Sequence, residues 1–143
     1  MPQQCSTHQA QDRVRDCLLE AGLVIEEEDP AGQCFLVSRE EEGISRMLVV
    51  WEEDLLVMEQ AVMPFGGDAA CSMRLLQMNR GLLRGAFCLT SDGTTVVFRH
   101  VLPLVALDSQ ELAACLGALS LALAEGAGDF LAWTDRAVQQ GKG

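Results

Sequence analysis

The segment AFCLTSDGTTVVFRHVLP, residues 86–103, decides the fold because it predicts a β-hairpin in the middle of the chain. Two runs rich in β-branched and aromatic residues flank Asp92-Gly93, the preferred residue pair of a type I′ turn. A two-residue turn sets Phe87 opposite Phe98, so an aromatic pair is expected to anchor one face of the hairpin. The segment therefore predicts two antiparallel strands with a defined register.

Upstream of the hairpin, the pattern predicts one helix, a run of strands and a second helix. Apolar residues recur at helical spacing in the first segment, and Gly22 follows it as a C-terminal stop. Short β-forming runs separated by acidic or glycine-containing turns then predict a meander. The predicted bounds are residues 7–21 for the first helix, 23–27, 34–38, 47–51 and 55–63 for the strands, and 68 to 79 or 80 for the second helix.

Downstream of the hairpin, Asp108 and Glu111 form a helix-start signature and predict a third helix to about residue 125. The Gly126-Ala127-Gly128 segment predicts an interruption, followed by a short last helix over residues 129–138. Strands that run between isolated helices favour the α+β class, an antiparallel sheet with helices in the order α-β-β-β(-β)-α-β-β-α. The length predicts a single domain, 1–143, with flexible ends at residues 1–6 and 139–143.

The composition is that of a strongly acidic globular protein. Hydrophobic residues make up 49% of its 143 residues, and the formal net charge is −11. Such a surface repels phosphate groups and anionic lipid, so we expect no nucleic-acid partner and no membrane partner. The N-terminal residues lack the pattern of a signal peptide, and no apolar stretch reaches the length of a membrane span. These features predict a cytoplasmic protein.

Two groups of residues could suggest a metal site. The six cysteines form no C-x-x-C pair and lie mostly within apolar patterns, so we expect no disulfide framework and no metal site. The acidic runs at residues 26–29, 40–42 and 52–54 lack EF-hand spacing. We interpret them as solvated turn charges that also discourage edge-to-edge strand pairing.

Cys88 and His100 are the one pair of residues that could suggest nucleophilic catalysis. The hairpin register argues against a dyad, because Cys88 shares a face with Val97, and Val97 and His100 have opposite parity along their strand. No nucleotide-binding glycine motif is present. We therefore predict no catalytic residue, no cofactor and no enzymatic activity. A small enzyme built on Cys88 or His100 stays the competing hypothesis.

The second helix carries two apolar faces, whereas a helix that lies on its own sheet needs only one. Cys71, Leu75, Met78 and Leu82 fall on one side, and Ala69, Met73, Leu76 and Leu83 fall on nearly the opposite side. Burial of a Leu or Met side chain contributes roughly 1.5–3 kcal/mol, so both faces should be covered. Either the C-terminal segment with Phe130 and Trp133 covers the second face, or a second subunit does. We expect a homodimer, with interface candidates Cys71, Met73, Leu75, Leu76, Met78 and Leu82.

The chain resembles the type III secretion chaperone fold, in its Tir-chaperone branch, from the second helix onward. An L-L-x-x-N helix leads to a small-residue strand, a D-G hairpin, a strand that closes on L-P-L, and a final helix. The segments that carry the resemblance are Leu75-Leu76-Gln77-Met78-Asn79, Gly85-Ala86-Phe87-Cys88-Leu89, Asp92-Gly93, Val96-Val97-Phe98-Arg99-His100, Val101-Leu102-Pro103-Leu104 and Leu107-Asp108-Ser109-Gln110-Glu111-Leu112. Over the first 65 residues only the order of elements agrees.

The resemblance implies a small acidic homodimer that holds a secreted effector before export, without ATP. In that family the second helix commonly contributes to the dimer contact, and extended client segments cover apolar patches on the sheet and the first helix. The residues that the resemblance places in the client site are Val14, Leu18, Phe35, Val37, Val49 and Trp51. YbjN-like sensory transduction regulators share the fold and nearly the same motifs. A YbjN-like regulator that binds a folded partner is therefore the alternative.

Overall fold

The structure is a computed structural model that describes residues 7–140. Its helices and strands are α1 (Thr7–Glu20), β1 (Val24–Asp29), β2 (Cys34–Arg39), β3 (Ile44–Glu52), β4 (Leu55–Pro64), α2 (Ala69–Asn79), β5 (Ala86–Leu89), β6 (Thr95–Pro103) and α3 (Ser109–Gln140). The strands form an antiparallel sheet in the order β1-β2-β3-β4-β6-β5. The predicted α+β class and element order are therefore confirmed.

Two compact units make up the chain. Unit 1 contains the residues up to Met58 together with Val101–Ala114, and unit 2 contains Glu59–His100 together with the chain from Cys115 onward. The single-domain organisation stays a prediction. Of the ends expected to be flexible, residues 1–6 and 141–143 lie outside the described residues, whereas residues 139 and 140 are the last two of α3.

In unit 1, α1 ends as its sequence predicts. Gly22 has a φ of +82°, the left-handed conformation that glycine adopts without steric cost. The amide of Leu23 donates to the carbonyl of Leu18 at 3.1 Å, and the amide of Gly22 donates to that of Leu19 at 3.0 Å. This pair of bonds is the Schellman motif, which satisfies the last carbonyls of the helix.

The core of unit 1 includes one face of β2 and β3. In the antiparallel register Phe35 lies opposite Val49 and Val37 lies opposite Met47, so these four side chains share a face. The rings of Phe35 and Trp51 have centroids 5.2 Å apart. The guanidinium of Arg15 on α1 lies 5.9 Å from the Phe35 centroid, which places α1 beside this face.

In unit 2, the hairpin of β5 and β6 has the predicted register. Phe87 pairs with Phe98 and Cys88 pairs with Val97. The two phenylalanine rings meet edge to face with centroids 5.4 Å apart, a favourable geometry for aromatic pairs. The predicted pairing of Phe87 with Phe98 is therefore confirmed.

The turn of this hairpin differs from the predicted type I′ turn, which requires a positive φ at both Asp92 and Gly93. Only Gly93 has one, at +73°. The amide of Gly93 donates to the carbonyl of Thr90 at 2.8 Å. The Asp92 carboxylate accepts hydrogen bonds from the hydroxyls of Thr90 and Thr94 at 2.6 and 2.8 Å. Side-chain hydrogen bonding by aspartate therefore stabilises a different turn with the same register.

The last helix is continuous from Ser109 to Gln140, so the predicted interruption and the separate final helix are wrong. A glycine within a helix costs about 0.5–1 kcal/mol relative to alanine, which does not by itself end the helix. At Gly126 the missing side chain leaves space for packing, because a Cβ atom there would meet the ring of Phe130 and lie 2.8 Å from Cε of Met78. The start of α3 is as predicted, since Asp108 accepts a hydrogen bond from the amide of Glu111 at 2.7 Å.

Because α3 is unbroken, its segment Ser109–Arg136 is long and apolar enough to cross a membrane by length and composition, with a mean hydropathy of 1.4. The sequence had predicted no apolar stretch of that length. A core helix of a globular protein meets the same criterion, and buried Leu112, Leu116 and Leu119 give α3 a core-facing side. The absence of a membrane partner stays a prediction.

Candidate functional site

The candidate site is α2 and the loop that follows it, both in unit 2. The helix begins where the sequence predicts, because the Asp68 carboxylate accepts a hydrogen bond from the amide of Ala70 at 2.8 Å. This cap satisfies one of the amides that the first turn leaves unpaired. The same carboxylate lies 3.7 Å from the guanidinium of Arg136 on α3. The cap and the ion pair hold the start of α2 against α3.

One face of α2 packs into unit 2. Cys71 and Leu75 are only 2% and 6% exposed, and Met78 and Leu82 are partly buried. The end of the Met78 side chain reaches Gly126 on α3. Four of the six interface candidates therefore belong wholly or partly to the interior of unit 2.

The opposite face of α2 and the following loop is exposed. Met73 is 63% exposed, Leu76 is 71% exposed and Leu83 is 96% exposed. Clustered exposed apolar side chains mark surfaces that bind a partner. We call Met73 and Leu76 the outer face. The predicted helical spacing placed Leu83 on the same side as Met73, but the interface candidates did not include it. Because α2 ends at Asn79, Leu83 lies in the following loop.

The C-terminal segment does not cover the outer face. The Phe130 ring packs against Phe87 with centroids 5.4 Å apart and lies 6.0 Å from the Trp133 ring. Within the part of the chain that the structure describes, Met73 and Leu76 stay exposed with this segment in place. Over the described residues, the predicted coverage of this face by the C-terminal segment is therefore wrong.

Asn79, the last residue of the L-L-x-x-N motif, joins the end of α2 to β5. Its Oδ1 accepts a hydrogen bond from the amide of Phe87 at 2.7 Å, and its Nδ2 donates to the carbonyl of Phe87 at 3.0 Å. At the far end of the loop, Gly85 has a φ of +73°, and a Cβ atom there would meet the ring of Phe98. Because both ends are fixed, the loop presents Leu83 from an ordered backbone.

Residues of α2, the loop after it, β5 and α3 line a groove of about 160 Å³. The residues that line it are Arg74, Met78, Leu82, Phe87, Ala122 and Glu125. Four of these residues are apolar, but Arg74 and Glu125 make the larger part of the exposed groove surface polar. Arg74 also lies 3.5 Å from the carboxylate of Asp129.

The six residues that the resemblance places in the client site lie in the core. Their exposed fractions are 0% for Val14, Phe35, Val37 and Val49, 1% for Leu18 and 2% for Trp51. Side chains this deeply buried offer no surface to a client segment in this conformation. The sequence could not separate these residues from surface residues, because a sheet covered on one face and a client-binding sheet have the same alternation of apolar residues.

The acidic run at residues 26–29 forms the C-terminal part of β1 and is not a turn, because β1 continues to Asp29. It is also partly paired: Glu28 accepts a 2.7 Å bond from Arg15, and Glu26 lies 3.3 Å from Arg46. Val24, at the start of this strand, is 63% exposed. An open groove of about 270 Å³ is lined by Gly22, Val24, Glu26, Ser38, Arg39, Glu40 and Glu41.

The Cys88 thiol lies in an environment that disfavours nucleophilic chemistry. Burial raises its pKa above the usual value for cysteine, and the negative charge of Glu59 raises that pKa further. A raised pKa lowers the fraction of thiolate, which is the reactive form. Cys88 also pairs with Val97, as the argument from strand parity requires.

Comparison with known proteins gives one family and one fold. The family model CesT_Tir_1 matches residues 7–135. The crystal structure of YbjN from E. coli superposes with a TM-score of 0.61 and 12% sequence identity, covering 82% of this chain and 91% of YbjN. At that identity the likeness shows a shared fold. No curated protein sequence matches the chain.

Proposed function

We propose that this chain, which belongs to the CesT_Tir_1 family of type III secretion chaperones, is a cytoplasmic homodimer. In this proposal it binds a protein client and catalyses no reaction. Membership of the family supports a protein-binding role of the chaperone or regulator type. The client that fits this role is the extended segment of a secreted effector, held without ATP.

The observation that carries the proposal is the outer face of α2. Met73 and Leu76 are 63% and 71% exposed on a helix whose other face is already buried. Covering each of these side chains contributes roughly 1.5–3 kcal/mol. A two-fold contact between copies covers both residues twice, because each subunit presents the same surface.

We propose that the client binds at the edge of unit 1, away from the six buried residues. β1 is an edge strand of the sheet, so one row of its backbone amides and carbonyls is available to an extended chain. Val24 supplies an exposed apolar contact at this edge. Glu26 and Glu41 already pair with Arg46 and Arg39, so the proposal rests on the open strand edge and the apolar contact and not on charge.

Two glutamate substitutions in α2 test the homodimer. Met73→Glu introduces a charge on the outer face and is expected to give a folded monomer. Met78→Glu introduces a charge beside Gly126 and is expected to lower the thermal midpoint of unfolding. Light scattering gives the mass, and circular dichroism gives the fold. A Met73→Glu variant that stays dimeric would show that the outer face is not the subunit contact.

Capture from the native host tests the client. The tagged chain is isolated, its dominant partner is identified by mass spectrometry, and binding is repeated with purified proteins without ATP. Limited proteolysis should show that the bound segment of the partner is extended. Val24→Asp should weaken this binding at least about tenfold, the effect of about 1.4 kcal/mol. Val105→Asp, at a residue that is 85% exposed in unit 1, is the matched control.

A YbjN-like regulator that binds a folded partner is the second candidate. The burial of Val14, Leu18, Phe35, Val37, Val49 and Trp51 favours it, because a folded partner needs no apolar groove on the sheet. Recovery of a partner that resists proteolysis as a compact domain would select this function over the chaperone.

A further inference from the structure

We propose that His100, Glu111 and Cys115 form a binding site for a zinc ion. An imidazole nitrogen of His100, a carboxylate oxygen of Glu111 and Sγ of Cys115 all lie within 4.8 Å of one another. The site is independent of the proposed homodimer and of the proposed client. It also departs from the expectation drawn from the sequence, which was that the chain has no metal site.

One strand and one helix supply the three side chains. His100 lies on β6 between Phe98 and Leu102 on the same face of the strand, and both of these neighbours are buried in the core. Glu111 and Cys115 are four residues apart on α3, so they lie on the same side of that helix. His100 and Cys115 both belong to unit 2, and the continuous helix places Glu111 one turn before Cys115.

The donor atoms select zinc by their chemistry. Imidazole nitrogen, thiolate sulfur and carboxylate oxygen are the three ligand types that Zn²⁺ takes in proteins. In a tetrahedral site with the usual bond lengths, neighbouring donor atoms are roughly 3.3–3.8 Å apart. Donor atoms that lie within 4.8 Å of one another therefore need to approach by about 1 Å at most, which small side-chain rotations supply.

Burial and charge also suit a bound cation. Cys115 is only 4% exposed, whereas His100 and Glu111 are half-buried and leave a path for the ion from solvent. A thiolate away from water attracts a cation more strongly, because the local dielectric constant is low. One thiolate and one carboxylate together neutralise the charge of Zn²⁺. Three protein ligands leave the fourth position to a water molecule.

The spacing of these residues explains why the sequence did not indicate the site. Zinc motifs that are recognisable in a sequence contain close pairs such as C-x-x-C. Here Glu111 and Cys115 are four residues apart on a helix, and His100 comes from a strand that ends before the helix begins. The group is therefore visible only when the backbone positions are known.

Isothermal titration calorimetry of the reduced full chain, with Zn²⁺ alone as the ligand, tests the site. We expect one ion per chain and a dissociation constant below about 1 μM. Because Cys115 binds as the thiolate, binding should release a proton, and the observed heat should depend on the ionisation enthalpy of the buffer. Mg²⁺ in about 1,000-fold excess should not compete, because it prefers oxygen ligands.

Single substitutions test the ligands. Cys115→Ser should weaken Zn²⁺ binding at least about 100-fold, and Glu111→Gln at least about tenfold. Glu111 is half-buried, so its variant tests the site even if the serine at residue 115 prevents folding. Cys71→Ser is the matched control, since Cys71 is a thiol in unit 2 that is 2% exposed and lies outside the group. This control should change the dissociation constant less than about threefold. Circular dichroism checks that each variant is folded.

Each remaining outcome overturns the proposal. A wild-type chain that does not bind Zn²⁺ has no such site. Full affinity in folded Cys115→Ser or in Glu111→Gln shows that the ion binds elsewhere, at other thiols or at surface carboxylates. An equal loss in Cys71→Ser and Cys115→Ser shows that the ligands are wrongly assigned. None of these results bears on the homodimer or on the client.

Discussion

Replacement of Gly126 by alanine should destabilise the protein, against the usual effect of this change in a helix. Alanine within a helix is favoured over glycine by about 0.5–1 kcal/mol. At residue 126 the added methyl group meets the ring of Phe130 and lies 2.8 Å from Cε of Met78. The Phe130 ring has little freedom to move, because it packs against both Phe87 and Trp133.

The magnitude follows from two opposing terms. Overpacking a well-filled interior costs typically about 1–3 kcal/mol. That cost exceeds the helix-propensity gain of about 0.5–1 kcal/mol, so the net effect is a loss of stability. Gly128→Ala is the matched control, because no atom lies within 4 Å of a Cβ built at that residue of the same helix. The control should gain stability by up to about 1 kcal/mol.

Urea unfolding of both variants, at one fixed protein concentration, measures the difference between them. We expect Gly126→Ala to be less stable than Gly128→Ala by about 1–3 kcal/mol, with equal m-values. If the two variants gain stability equally, the close packing of Phe130 on Gly126 is refuted, and with it the reason for the unbroken α3.

Two further predictions concern unit 2. Asn79→Ala should lower the free energy of unfolding by about 1–3 kcal/mol in urea unfolding, since both hydrogen bonds to the Phe87 backbone are lost, and an unchanged free energy would contradict this role. Hydrogen bonds from Thr90 and Thr94 lower the pKa of Asp92 below its ordinary value, so its contribution to stability is present above the unfolded-state pKa and lost as the pH falls through the lower folded-state pKa. Acid unfolding of Asp92→Asn should therefore show a smaller loss of stability below about pH 4 than the wild type. An identical loss of stability in both proteins would refute this effect.

The sequence predicted the elements wherever local chemistry determines them. Gly22, Asp68 and Asp108 each end or begin a helix through hydrogen bonds within a few residues, and each acts as predicted. The register of Phe87 with Phe98 also follows from local pairing. The interruption of α3 was predicted wrongly because the partner of Gly126 includes Met78, 48 positions earlier in the chain, which a local pattern does not show.

The candidate site was predictable in part. The helical spacing correctly separated the outer residue Met73 from the inner residue Leu75, with exposed fractions of 63% and 6%. It could not tell which face was already covered, since both faces are apolar. For the client site the pattern was misleading, because Phe35 and Trp51 have the spacing of a binding face and yet are buried in unit 1.

The mass of the wild-type chain in solution tests the central claim most directly. Light scattering over a hundredfold range of concentration should give a mass of about 31 kDa, twice the 15.5 kDa of one chain, falling only at the lowest concentrations. A mass of 15.5 kDa at every concentration would contradict the account, because the outer face of α2 would then have no second copy to cover it.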